Sequence, residues 1–232
     1  MKVVVIDDDP TGSQTVHSCP LLLRWDVDTL RRGLRHASPL LFLLADTRAL
    51  TPMAAAERNR GIAAALDQAL QREGLARDQV LLVSRGDSTL RGHGVLEPEV
   101  LQAAFGPFDA TFHVPAFLEG GRTTVNGVHL LHGEPVHTTP FAQDRLFGFN
   151  SSDLAHWLQE KSDGAIAAAS VQRISGRELD AGCGAGLPLL IDRLRRLQGN
   201  PSVVVDAERQ EQLTALAAAV RALQGQKRFL FR

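Results

Sequence analysis

Apolar runs alternate with amphipathic stretches along the first half of the chain. Val3–Ile6 is an unbroken β-branched run that passes into three acids, Asp7, Asp8 and Asp9, and then a Pro10-Thr11-Gly12 turn. Such a run predicts a strand buried on both faces, with the acids where it ends. Pro20–Trp25 predicts a second strand. Val27–His36 predicts a short helix, with Leu30 and Leu34 four apart and Asp26 or Asp28 near its cap. Leu40–Leu44 is a strand ending in Ala45-Asp46-Thr47-Arg48. Thr51-Pro52 opens a helix with Thr as cap and Pro at its first position; Ile62, Leu66 and Leu70 line one face and Gly74 stops it. Val80–Val83 is a strand running into Ser84-Arg85-Gly86-Asp87-Ser88-Thr89. Val95–Phe105 is a helix with Pro98 in its first turn, and Ala110–Val114 is a strand ending at Pro115.

Strand, helix, strand, helix, strand predicts a three-layer α/β domain: a mainly parallel sheet, right-handed crossovers and helices on both faces. In a parallel sheet the loops after the strands share one edge, where ligands bind. Residues 7–9, 46–48, 85–91 and 113–122 all fall just after strands, so four loops rich in Asp, Arg, Ser, Thr and Gly are expected to converge on one cleft.

Residues 125–150 have no helical period and predict a small β/loop insertion, a hairpin or flap. Ser151 or Ser152 then caps a helix reaching Glu160, and Ala165–Ala169 is a weak strand. Leu187–Leu197 is a helix, Val203–Val205 a strand ending at Asp206, and Leu213–Leu223 an amphipathic helix. Residues 227–232, KRFLFR, begin an apolar run where the chain stops, which reads as a boundary cut through a longer protein.

A length of 232 residues suits one large α/β domain or two small ones. The net charge of -1 offers no basic footprint for nucleic acid. No apolar run approaches the ~18 residues of a membrane span, and the N-terminus has no secretory signal pattern. Two distant cysteines, Cys19 and Cys183, point to a cytoplasmic chain with reduced thiols. None of the three lysines follows a glycine, so there is no P-loop to hold ATP.

Asp7-x-Asp9-x-Thr11 after a strand fits the first motif of haloacid-dehalogenase-type phosphatases, with Asp7 as nucleophile, Asp9 as acid/base and Mg²⁺ between them. The later acids of that chemistry are missing: Gly86-Asp87 is followed by Ser88, Thr89, Leu90 and Arg91. Within Ser84–His93, Arg91 can hold a carboxylate or phosphate bidentately, Asp87, Ser88 and Thr89 can bond hydroxyls, and Gly86 and Gly92 allow close backbone approach. Gly120-Gly121-Arg122-Thr123-Thr124 could wrap an anion or a polyol. His129, His132 and His137 do not have zinc spacing, so no metal ligands are assigned. Gly182, Gly184 and Gly186 read as an ordinary loop.

Together these loops resemble the N-terminal domain of the four-carbon acid sugar kinase family, which acts on threonate, erythronate and 3-oxo-tetronate. The resemblance rests on Asp8-Asp9-Pro10-Thr11-Gly12 after the first strand, on Asp46-Thr47-Arg48, on the Asp87-Ser88-Thr89-Leu90-Arg91-Gly92 block, and on Pro115-Ala116-Phe117 leading to Gly121-Arg122-Thr123-Thr124. It covers residues 1–232, and the block at 87–92 is its most specific part. His93 stands where many members have Asn.

The resemblance implies an N-terminal sugar-acid-binding domain. Asp8 and Asp9 are its expected catalytic residues, orienting or deprotonating the attacking hydroxyl. Asp46, Arg48, Asp87, Ser88, Thr89, Arg91, Gly92, Gly121, Arg122 and Thr123 are its expected substrate contacts, with Arg91 and Arg122 as clamps for the carboxylate or phosphate. ATP and Mg are expected to be held mainly by a C-terminal nucleotide-binding domain absent from this chain. Apolar surface left where that domain would dock would favour a homo-oligomer. The alternatives are a stand-alone sugar-acid-binding module without kinase activity and the Mg-dependent phosphatase using Asp7 and Asp9.

Overall fold

The structure is a computed structural model that describes the backbone of residues 1–232 and all side chains except those of Gln14 and Thr15. Its strands are β1 Lys2–Asp7, β2 Leu21–Leu22, β3 Leu40–Leu44, β4 Val80–Arg85, β5 Ala110–His113, β6 Arg122–Val125, β7 Val128–Leu131, β8 Glu134–Pro135, β9 Gln172–Ile174, β10 Ser202–Val205 and β11 Phe229–Phe231. Its α-helices are α1 Val27–Arg35, α2 Pro52–Glu73, α3 Leu96–Phe105, α4 Leu154–Lys161, α5 Gly176–Gly182, α6 Leu187–Arg195 and α7 Gln210–Ala222. The class is the expected one, a three-layer α/β fold with a mainly parallel sheet and a small antiparallel one. The chain forms two compact units. The first comprises residues 1–87, 92–107 and 230–232; the second comprises 88–91 and 108–229.

In the first unit the strands run β2-β3-β1-β4-β11 and pair in parallel. The continuous apolar run of β1 is explained by its central place, between β3 (Val5 opposite Phe42) and β4 (Val5 opposite Val83). Val4, Leu41, Leu43 and Leu82 have no exposure, and burying each such side chain stabilises the fold by about 1.5–3 kcal/mol. Helix α2 starts as its sequence predicts. The Thr51 hydroxyl accepts from the Ala54 N–H, Pro52 takes the first helical position, and Gly74 ends the helix at φ +67°. Its buried face, Ile62, Leu66 and Leu70, packs where α2 meets α1 and α3. Because β1, β3 and β4 are parallel and in register at Asp7, Leu44 and Arg85, the loops that follow them leave the same edge.

In the second unit β5, β10 and β9 pair in parallel, with Val203 opposite both Phe112 and Gln172. Strands β6, β7 and β8 form the antiparallel sheet. The β6–β7 turn is Asn126-Gly127, at φ +52° and +80°, the pair of left-handed residues a tight hairpin requires. The insertion expected at 125–150 is therefore real, and its first strand starts earlier, at Arg122. Asp206 fastens it: its carboxylate accepts the Gly127 N–H at 2.8 Å and the Gly176 N–H at 3.0 Å.

Four expectations need correction. The second strand is only Leu21–Leu22, not Pro20–Trp25. Residues 165–169 are not a strand. They are mostly alanine, too small to cover a sheet face, and the strand forms at Gln172–Ile174 instead, where Ile174 is fully buried. Helix α4 is capped by Asp153, whose carboxylate accepts the His156 N–H at 2.9 Å; the Ser152 hydroxyl is occupied by the His137 N–H at 2.8 Å. Helix α5 was not anticipated, although Ser175 and Glu178 form the capping box that announces it.

Candidate functional site

In the first unit the end of β1 delivers three carboxylates with three different fates. Asp7 is fully buried, and Arg85 Nη1 donates to its Oδ1 at 3.3 Å. Burial pushes its carboxyl up to about 6 even against that neighbour, and its Oδ2 is buried without a hydrogen-bond partner. Asp8 is also buried, gripped side-on by the Arg48 fork: Nη2 lies 2.8 Å from Oδ1 and Nε 3.2 Å from Oδ2. Asp9 is partly exposed. It takes the Thr11 N–H at 2.8 Å and the Thr11 hydroxyl on one oxygen, and Arg48 Nη1 at 3.1 Å on the other. Burial works to raise its carboxyl, but these donors outweigh it and hold the group below the usual range.

Arg48 thus binds both Asp8 and Asp9, and the charge of Asp87 acts on it as well. Gly92 closes this side. It sits at φ +93°, and a Cβ there would stand 2.9 Å from Asp8 Oδ2, so only glycine lets the backbone pass. Asp46 is exposed and left-handed at φ +50°, held by backbone bonds: its N–H donates to the Asp7 carbonyl at 3.2 Å.

In the second unit Ser88–Arg91 is anchored by a buried histidine. His129 Nε2 lies 2.7 Å from the Ser88 carbonyl, and its Nδ1 lies 3.0 Å from the Thr124 hydroxyl. Two ring nitrogens with two partners fix the loop. His129 is thus a core histidine with a specific task. Thr89 is buried, and its hydroxyl accepts from Arg91 Nε at 3.2 Å. Both expected clamps lie on aromatic faces: the Arg91 guanidinium is 4.9 Å from the Phe141 ring centre, and that of Arg122 is 5.5 Å from Phe117. Stacking of this kind orients a guanidinium through its flat face. Arg122 Nε is buried without a hydrogen-bond partner. Gly121, at φ +70°, leaves room for the His132 ring, and Thr123 lies on β6 opposite Leu130.

The structure thus brings Asp8, Asp9, Arg48, Asp87 and Gly92 together in the first unit. In the second it groups Ser88, Thr89 and Arg91 with His129 and Phe141, and Arg122 with Phe117. The block at 87–92 contributes to both units. Sequence reasoning named Phe117 only as part of the Pro115-Ala116-Phe117 motif, and it missed Phe141 and Glu97. Glu97 lies in a helix that otherwise reads as plain amphipathic, and its first-turn acid looks like ordinary helix-end chemistry.

The model of a family described as the sugar-binding N-terminal domain matches residues 3–232. A D-erythronate kinase from Heliobacterium modesticaldum is 28% identical over 227 residues, which is 93% of this chain and 47% of that protein. Among solved structures, a domain of unknown function from Bordetella bronchiseptica, crystallised with bound citrate as a domain-swapped dimer, has a TM-score of 0.73 and 25% identity. The match covers 99% of this chain and 54% of that one. A Haemophilus influenzae protein shares the fold at a TM-score of 0.66 and 15% identity, over 100% of this chain and 53% of its own. The chain spans about half the length of the relatives it matches. The match along nearly its whole length places this chain in the sugar-binding N-terminal domain family.

Proposed function

We propose that the chain is the sugar-acid-binding part of a kinase that phosphorylates a four-carbon sugar acid. The observation that carries this reading is the Asp8–Arg48–Asp9 cluster at the end of β1. Asp8 is consumed in fixing Arg48, whereas Asp9 remains partly exposed and can meet a substrate hydroxyl. Its lowered pKa makes it a weak base. That is tolerable, because phosphoryl transfer depends chiefly on positioning and charge. Within the first unit, Asp46 and Asp87 are the carboxylates suited to accept from hydroxyls; within the second, Arg91 and Arg122 are the guanidinium groups suited to a carboxylate. The kinase relative and the citrate held by the Bordetella neighbour, a polycarboxylate, support a small hydroxy-acid ligand.

We assign ATP and Mg to a further, C-terminal nucleotide-binding domain. Among the described residues no group of three or more His, Cys, Asp or Glu side chains is placed to hold a metal ion, so no step is routed through one. No helix among them is long and apolar enough to cross a membrane, and we place the protein in the cytoplasm, in keeping with its free cysteines. The phosphatase alternative fares poorly, because its nucleophile would be Asp7, which has no exposure.

Calorimetric titration with D-erythronate and its four-carbon relatives tests the assignment. Arg91→Ala is expected to cost more than about 1.5 kcal/mol of binding, and Asp9→Asn to weaken binding less than it weakens phosphorylation by the complete enzyme. Equal titrations for wild type and Arg91→Ala, or no binding of any four-carbon acid, would overturn it.

A further inference from the structure

Glu97 lies in the first turn of α3, buried beneath the acid-bearing edge. Its Oε1 accepts from the Thr47 hydroxyl and from Asn59 Nδ2 at 3.4 Å; its Oε2 accepts from Arg232 Nη1 at 2.6 Å. The same Nη1 donates to the Ser84 hydroxyl at 2.9 Å. The Arg232 guanidinium lies against Gly86, where any Cβ would collide with it. One carboxylate therefore ties together two loops. Through Thr47 it reaches the residue before Arg48, and through Arg232 it reaches the Ser84–Gly86 backbone, between Arg85 and Asp87.

The two side chains are 3% and 8% exposed. At that burial an ion pair is poor evidence of stabilisation, because desolvating two charges cancels much of their attraction. What such a pair does supply is a fixed geometry. We infer that Glu97 and Arg232 are positioning residues of the candidate site, and that their pairing sets Arg48 and the Arg85–Asp87 segment in the arrangement that receives the sugar acid. This rests on the function proposed above for its ligand, though not for its geometry. Neither residue is placed to touch substrate; they act through Thr47, Ser84 and Gly86.

The test uses Glu97→Gln/Arg232→Met, which removes both charges at near-constant volume and so leaves no lone buried ion. Amide hydrogen exchange should accelerate by about tenfold or more at Thr47, Arg48 and Arg85–Asp87 and nowhere else, with an unchanged thermal midpoint. D-erythronate affinity, by calorimetry, should fall by about tenfold or more. Arg232→Lys, which returns a charge to Glu97, should recover most of that affinity. Unaltered exchange in both segments, or acceleration throughout together with a lower midpoint, would overturn the inference. So would D-erythronate binding equally well to wild type and the double variant. Acceleration confined to the two segments, in a protein whose wild type binds no D-erythronate, would support the positioning pair and overturn the sugar-acid reading instead.

Discussion

Burial pushes the Asp7 carboxyl up to about 6, against the pull of Arg85 3.3 Å away. In the unfolded chain the same group titrates near 3.8. The folded state therefore holds its proton over a window in which the unfolded state has lost it. Stability from this residue falls as pH rises from about 4 to about 6, and the cost is full above that, on the order of 2–3 kcal/mol. Asp7→Asn is accordingly expected to be more stable than wild type at pH 7.5, by up to about 2 kcal/mol, with the advantage gone near pH 4. Urea denaturation across that range measures it; a variant less stable than wild type at pH 7.5 would show that the Arg85 contact outweighs burial. Three adjacent acids after a strand were legible from the sequence as a candidate site. Their separate roles were not, because those roles are set by Arg48 and Arg85, which lie 40 and 78 positions away in the chain and arrive through strand pairing.

At the scale of elements, helix α2 was readable to the residue because three local signals agree: a Thr cap, a Pro at the first position and a left-handed Gly stop. Thr51→Ala should cost about 1 kcal/mol of unfolding free energy by loss of the cap. Leu66→Ala, at a site with no exposure, should cost about 2–5 kcal/mol through lost transfer energy and a cavity. Chemical denaturation of the two variants ranks the contributions; a Thr51→Ala loss equal to that of Leu66→Ala would contradict them. The short elements were harder. Helix α5 is seven residues long and offers less than two turns of periodicity, so its Ser175–Glu178 box was the signal to read. The strand placed at 165–169 followed a run of small apolar residues, whereas the buried position that draws in the neighbouring strand is Ile174.

For the whole molecule, the decisive segment is the last. KRFLFR reads as the start of an apolar run, and Phe229–Phe231 within it is a strand, with Leu230 opposite Leu82 and Phe231 opposite Val83 on β4. No local pattern reveals a pairing between residues nearly 150 positions apart. Leu230 has no exposure and Phe229 is 3% exposed. Together they bury apolar surface worth about 3–6 kcal/mol, a large share of the 5–15 kcal/mol by which a domain is ordinarily stable. Arg232, just after the strand, carries the pair with Glu97. A chain ended after Lys227 loses the strand, an edge of pairing along β4 and the partner of a buried carboxylate at once. It is expected to lose cooperative unfolding altogether, whereas the full chain with Glu97→Gln/Arg232→Met keeps the strand and unfolds cooperatively. Circular dichroism melting of the two separates the contributions. A truncated chain that melts at the wild-type midpoint would mean that β4 does not need β11, and that the last five residues serve the site alone.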